Sequence, residues 1–211
     1  MPKLLDSTRE QRRRQLLEAA WRCIARQGYR DLTVDDVCAE AGLSKGAFYG
    51  HFASKEALLL ALIEDDAGLI ARVAEDPETL QLSPVQRIRK VTETMLMQGA
   101  DPARVQLRAD VWGAMQTYPA VRAAVTKVVA ERQRVLREWV EEAVPAGEMS
   151  IDFPPNALAA LLLAISDGLV LHYALDPHAF RWGKISKAVD GMLAGFAASI
   201  APVGILEGKA S

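Results

Sequence analysis

The sequence predicts an all-α protein with a helix-turn-helix near its N-terminus and a larger helical body after it. Three observations support this class: apolar residues recur at helical spacing, capping residues precede most of those runs, and no segment alternates convincingly like a strand. About nine helices follow from that spacing. The chain has 211 residues, 50% of them apolar and 25% charged, which is typical of a globular protein with a sizeable core.

The first predicted helix begins at Ser7, after a short tail, and ends at Gly28. Ser7 opens a capping-box pattern, and apolar residues then mark one face of the helix. Arg12, Arg13 and Arg14 are consecutive, so they fan around the helix axis and cannot all face one surface. We interpret them as a solvated face from which one arginine could reach a phosphate.

The stretch from Thr33 to Glu56 contains three helix starts and one tight turn. Thr33, Ser44 and Ser54 each have a side-chain oxygen that can accept a hydrogen bond from a free N–H of the following turn. Gly42 can take the left-handed conformation that ends the first of these helices. Helix, glycine turn and short second helix together predict a helix-turn-helix.

The second helix of this motif, roughly Ser44 to Gly50, begins with small residues and a cation. Gly46 and Ala47 permit the close approach of another surface, and Lys45 adds a positive charge. The free N–H groups and the positive end of a helix favour anions such as phosphate. This helix is therefore the part of the motif expected to meet an anionic partner.

This stretch resembles the DNA-binding domain of the TetR family of bacterial one-component regulators, over about Ser7 to Leu62. The resemblance rests on five segments: Thr33 to Val37, Ala41 to Gly46, Phe48-Tyr49, His51-Phe52 and Ser54 to Glu56. It implies that the helix from Ser44 enters the major groove of double-stranded DNA. The implied DNA-binding residues are Thr33, Ser44, Lys45, Gly46, Ala47, Tyr49, His51 and Lys55.

The resemblance also implies two domains and a mechanism. We expect residues 1–55 to be the DNA-binding domain and residues 56–211 a regulatory and dimerisation domain, connected by a helix from Ser54 to Glu75. Residues 1–55 carry ten Lys and Arg against seven Asp and Glu, whereas residues 56–211 carry 15 against 20. The expected function is a repressor that binds a pseudo-palindromic operator as a homodimer and is released by a small apolar or amphipathic effector.

Capping residues and prolines divide the second domain into further helices. These are predicted to begin at Ser83, Asp101, Tyr118, Ala157 and about Lys184, with the last ending near Ile200.

The helix from Ala157 to Leu175 is apolar nearly all round, so it is expected to bury one side in its own domain and another against a partner. A charge near its middle, Asp167, would cost about 2.5–3.5 kcal/mol in a membrane, which favours burial in protein over a membrane span. Together with the final helix it predicts a four-helix homodimer interface. The interface candidates are Leu161, Ile165, Leu169, Val189, Met192 and Phe196.

The middle helices carry aromatic and methionine side chains that could enclose a small-molecule effector. The candidates are Met95, Trp112, Met115, Tyr118, Trp139, Asp167 and His172. Each is also consistent with an ordinary packed core. Asp110, Asp167 and His172 could be satisfied by internal hydrogen bonds as well as by a ligand.

Several function classes are disfavoured by composition. Cys23 and Cys38, the only cysteines, fall at apolar helical positions, which favours buried thiols in a reduced, cytoplasmic protein. The sequence has three histidines and no Cys-x-x-Cys motif, so we expect neither a metal site nor a cofactor. It also lacks a motif for a catalytic nucleophile, so we do not expect an enzyme. The alternative is an all-helical dimeric scaffold for protein partners, which gives no reason for Lys45, Tyr49 and His51.

Overall fold

The computed structural model describes the backbone of residues 2–196 and the side chains of residues 8–196, except those of Leu69 and Ala179. Within this range the chain forms ten α-helices and one short 3-10 turn, Pro177–Ala179, and no β-strand. The helices are α1 Pro2–Asp31, α2 Val34–Ala41, α3 Lys45–Tyr49, α4 Lys55–Glu75, α5 Pro77–Leu80, α6 Pro84–Gly99, α7 Pro102–Thr117, α8 Pro119–Ala143, α9 Pro155–Leu175 and α10 Trp182–Phe196. The all-α prediction is confirmed; the predicted end of the last helix at Ile200 lies outside the described residues.

Helix α1 begins earlier than predicted, but its geometry breaks at the predicted residue. The backbone is already helical from Pro2, so Ser7 lies inside the helix and does not cap it. Helical geometry breaks at Gly28, where φ is 77° and ψ is 168°, and this is the predicted end. A glycine is needed there because few residues with a Cβ adopt such a conformation.

The three caps of the helix-turn-helix form as predicted. The Thr33 hydroxyl accepts from the Asp36 backbone N–H at 3.1 Å, and the Asp36 carboxylate accepts from the Thr33 backbone N–H at 2.9 Å. Ser44 and Ser54 accept from the backbone N–H three residues ahead, at 3.2 and 3.1 Å. Each cap satisfies a backbone donor that would otherwise be free, so local sequence alone sets these helix starts.

Two hydrophobic cores share α4. The first, the head core, joins α1, α2 and α3 to the α4 segment from Leu58 to Ile63, and includes Leu107 and Val111 of α7. The second, the body core, joins Ile70 and Ala74 of α4 to α6, α8, α9 and α10. We call residues 8–63 the head and residues 64–196 the body. The head therefore extends beyond residue 55, because α4 completes its core, and the predicted division into domains stays a prediction.

Tyr29 joins the head to the body. Its backbone N–H donates to Asp110 Oδ2 on α7 at 2.8 Å, and its hydroxyl donates to the carbonyl of Lys55, at the start of α4, at 3.1 Å. From the sequence, Asp110 could face either a pocket or the core; in the structure it links α7 to α1. The head is fixed to the body through α7 as well as through α4.

One helix of the described residues, α9, is long and apolar enough to cross a membrane by length and composition alone. Core helices of soluble proteins meet the same criterion. In this structure α9 packs against α6, α7 and α8.

Candidate nucleic-acid interface and effector cavity

Helix α3 is short, and two phenylalanines hold it in place. Phe48 is fully buried in the head core and Phe52 almost so. The Tyr49 ring stands edge-on to Phe48, with centroids 5.4 Å apart, and remains 56% exposed. The packing of Phe48 therefore directs Tyr49 outward from the head.

The other predicted DNA-binding residues of α3 lie on the same surface. Ser44, Lys45 and Gly46 are exposed, and Ala47 is half-buried. Lys45 Nζ lies 2.8 Å from Asp35 Oδ1, and both side chains are more than 60% exposed. Such an exposed pair is worth about 0–1 kcal/mol, so a phosphate could replace the aspartate at little cost.

Lys55 is engaged within the chain. Its ammonium donates to the carbonyl of Arg30 at 2.9 Å and lies 4.6 Å from the centre of the Tyr29 ring. Burial lowers the pKa of Lys55, while Asp31 and Asp110 act to raise it. The prediction that it contacts DNA therefore has less support than for Lys45, because its cation already has two partners.

Arginines of α1 lie beside the helix-turn-helix, a position that the sequence alone did not decide. The Arg13 guanidinium lies 5.6 Å from the centre of the Phe52 ring. Burial lowers the pKa of His51 below its ordinary value of 6.5, and the positive charges of Arg9, Arg12 and Arg13 lower it further. These three arginines therefore place a positive field at the end of α3.

A cavity of about 430 Å³ lies between α4 and α8, and we call it the large cavity. Its volume falls within the roughly 300–1,000 Å³ typical of ligand pockets. The cavity exists because the α4 residues that line it have small side chains, and larger apolar residues of α8 form the opposite wall. The apolar lining includes Ala67, Gly68, Ala71, Ala74, Val128, Val135, Leu136 and Trp139.

The seven predicted pocket residues do not gather in one place. Trp139 lines the large cavity, whereas Trp112 and Asp167 line a second, small cavity of about 90 Å³. Met115 borders an open groove of about 610 Å³ on α7 and α8, which has a greater volume than the large cavity but is less enclosed, and Met95 is buried in the body core. Tyr118 and His172 are exposed and line none of these cavities, so they are poor pocket candidates.

A buried charge cluster between the two cavities was missed by the sequence analysis. The Asp66 carboxylate of α4 is ion-paired with Arg104 at 2.5 Å and Arg108 at 3.2 Å, and Arg132 lies at 3.6 Å. Burial would raise the pKa of Asp66, but the three arginines together lower it. Nothing local distinguishes Asp66 from a solvated carboxylate, and its partners are far away in the sequence.

Comparison with known proteins decides the family. The family model described as bacterial regulatory proteins, tetR family, matches residues 16–62, and that of the BetI-type transcriptional repressor C-terminal domain matches residues 84–198. The chain belongs to the TetR family. The predicted resemblance is confirmed, and nothing in these comparisons supports the alternative of a scaffold.

Individual relatives agree with this assignment. The transcriptional repressor AcnR of Corynebacterium efficiens is 32% identical over 165 residues, which are 77% of this chain and 81% of the relative. A TetR regulatory protein from Rhodobacter sphaeroides has a crystal structure that is 29% identical, with a TM-score of 0.70 over 87% of this chain and 98% of that one. A Saccharomonospora viridis regulator, solved with choline, shares the fold at 21% identity and a TM-score of 0.75 over 88% of this chain and 96% of that one.

Most of the predicted dimer-interface residues of this TetR-family chain also pack within the chain itself, and the interface stays a prediction. Val189 is buried in the body core, and Ile165, Leu169, Met192 and Phe196 pack against that core; only Leu161 of the six is exposed, at 44%. The exposed face of α9 also includes Leu171 and Leu175, and that of α10 presents Gly191 and Ala194. The larger apolar residues fill the chain's own core, which leaves mainly the small ones outside on α10.

Cys23 and Cys38 are buried free thiols, as predicted, and burial raises the pKa of both. Among the described residues, no three His, Cys, Asp or Glu side chains are grouped so that they could hold a metal ion.

Proposed function

We propose that this chain is a cytoplasmic repressor that binds a pseudo-palindromic operator as a homodimer and releases it when a small molecule enters the large cavity. The observation that carries the proposal is the position of α4. Its Leu58 to Ile63 segment belongs to the head core, and its Ala67 to Ala74 segment forms one wall of the cavity. A ligand that shifts this wall therefore acts on the helix that supports the head.

The DNA-binding surface consists of α3 and the adjoining arginines of α1. Tyr49 and Lys45 would meet the major groove and its phosphates, and Arg9 and Arg12 would extend the contact along the backbone. Lysine and arginine contacts to phosphate supply affinity without sequence information. Base readout must therefore come from the short α3, whose side chains are few.

Two copies are needed for useful specificity. Each good side-chain contact to a base discriminates by about 1–3 kcal/mol, whereas specific operators are bound about 4–10 kcal/mol more tightly than other DNA. Two heads spaced about 34–36 Å apart would double the readout and require a symmetric site. The exposed apolar face of α9, next to the small residues of α10, is the surface proposed to join the copies.

Selection of bound sequences from random duplex DNA tests the proposal. A two-fold symmetric site is expected, with an affinity that falls with salt at a logarithmic slope of about −0.9 per phosphate neutralised. Tyr49→Ala should weaken binding to that site. Met97→Ala is the matched control, because Met97 is similarly exposed at 47% but lies on α6, outside the head. Enrichment of no sequence, or equal effects of the two substitutions, would contradict the proposal.

The effector is tested separately on the selected operator. Release is expected only from a molecule that binds the two forms of the regulator with different affinity. If ligands that saturate the large cavity leave operator affinity unchanged, control by ligand is wrong and constitutive DNA binding is what stands.

A further inference from the structure

Arg132 is a buried cation that lines both the large and the small cavity. Its side chain is only 12% exposed. The other charged groups of the large cavity lie towards solvent, where Glu64, Glu75 and Lys127 are exposed. Arg134 is held by Glu131 and Glu138 at 2.6 and 2.8 Å, so its charge is already compensated.

The guanidinium of Arg132 is incompletely paired. Its Nη2 lies 3.6 Å from Asp66 Oδ2 and 3.5 Å from the Asp66 carbonyl oxygen, whereas charged N–H···O hydrogen bonds are usually about 2.7–2.9 Å. Its Nε is buried and has no hydrogen-bond partner. Burial lowers the pKa of Arg132, although the carboxylates of Asp66 and Asp167 act to raise it.

We infer that the large cavity binds an amphipathic monocarboxylate, whose carboxylate pairs with Arg132 and whose hydrocarbon chain lies against Ala71, Val135 and Trp139. The planar fork of an arginine matches the two oxygens of a carboxylate, and a buried N–H without a partner is costly until a ligand supplies one. A neutral hydrocarbon would leave the Arg132 Nε–H without an acceptor, and a cationic ligand would be repelled by the guanidinium. The charge of Arg132 therefore selects the chemical class, and the apolar walls select the hydrocarbon body.

The same contact provides a regulatory step, which rests on the proposed function. Asp66 lies on α4, three residues after Ile63, the last head-core residue of that helix. A ligand carboxylate competes with Asp66 for Arg132, and the Arg132 contact is the longest of the three that Asp66 makes to arginine. Binding would therefore loosen the tie between α4 and α8 while Arg104 and Arg108 keep Asp66 satisfied.

Titration calorimetry with three matched series tests the inference: straight-chain carboxylates from butanoate to dodecanoate, the alcohols and the amines of the same lengths. Carboxylates should bind, with affinity rising with chain length, and each should exceed its alcohol and its amine. Arg132→Met should weaken carboxylate binding by roughly tenfold to a hundredfold and leave the alcohols unchanged. Arg137→Met is the matched control, because Arg137 lies on the same helix but does not line the cavity.

Arg132→Lys provides a second variant if Arg132→Met does not fold. It keeps the charge and loses the fork, so it should weaken carboxylates less than Arg132→Met does and still spare the alcohols. The inference is overturned if no carboxylate binds, if alcohols bind as well as acids, or if Arg137→Met has the same effect. Carboxylate binding that depends on Arg132 but leaves operator affinity unchanged would uphold the site and contradict only ligand control.

Discussion

Gly28 is the position where one added methyl group tests the link between the head and the body. Its φ of 77° and ψ of 168° lie in a region that is essentially restricted to glycine. A Cβ at this position would also stand 3.2 Å from Gln106 Nε2 and 3.3 Å from Asp110 Oδ2. Asp110 accepts the Tyr29 N–H, so any movement of its carboxylate away from the new methyl group weakens that hydrogen bond.

The expected cost has two parts. A non-glycine residue in this backbone conformation costs about 1–3 kcal/mol. Weakening a hydrogen bond to a charged acceptor adds up to about 1.5–3 kcal/mol if it is lost completely. Because Asp110 and Gln106 are side chains that can give way in part, we expect Gly28→Ala to lower the free energy of unfolding by about 2–4 kcal/mol.

Urea unfolding, followed by circular dichroism at one fixed protein concentration, measures this loss. Gly113→Ala is the matched control, since Gly113 lies within α7 and a Cβ there would meet nothing within 4 Å. That control should stabilise the chain by about 0.5–1 kcal/mol, because alanine favours a helix interior. If Gly28→Ala were as stable as the wild type, the backbone strain and the Asp110 link would both have been misjudged.

Three further predictions concern the Tyr29–Asp110 link, the DNA-binding surface and the dimer. Asp110→Ala should lower the free energy of unfolding by about 1–3 kcal/mol, because the Tyr29 N–H loses its acceptor. Asp110→Asn should lower it less, since an amide oxygen can still accept, and urea unfolding measures both changes. The pKa of His51 is lowered in the free protein and should rise beside phosphate, so operator affinity should increase as the pH falls from the pKa of the bound form to that of the free form. His51→Gln should flatten this part of the dependence of operator affinity on pH, measured by fluorescence anisotropy. Leu161→Glu puts a charge on the exposed face of α9, so the variant should sediment as a monomer at micromolar concentration. A dimer as stable as that of the wild type would exclude this face as the interface.

Features set by neighbouring residues could be predicted from the sequence. The caps at Thr33, Ser44 and Ser54 depend on hydrogen bonds that span three residues, and all three form. The break at Gly28 likewise follows from a local backbone preference. The start of α1 was misplaced, because Ser7 offers a capping pattern that a helix already begun at Pro2 does not use.

Features that depend on distant partners could not be predicted. Asp66 contacts Arg104, Arg108 and Arg132, which follow it in the chain by 38, 42 and 66 positions. The apolar pattern of α4 alone does not indicate that the Asp66 carboxylate is buried. The packing of the dimer candidates within the chain could not be predicted for a related reason. Helical spacing locates the apolar faces of α10, but it does not state that the face containing Val189 is filled by the chain's own core.

The division of α4 between two cores would let a ligand in the proposed site act on the head without a hinge. Both segments of α4 belong to one continuous helix, so a shift of its body end would be passed on to its head end. Tyr29 and Asp110 fix the other side of the head to α7, which gives the head a second attachment that does not line the large cavity. In the proposed mechanism, a displacement of α4 relative to α7 would therefore rotate the head. In the proposed homodimer, that rotation would change the distance between the two heads, which decides whether both can occupy successive major grooves.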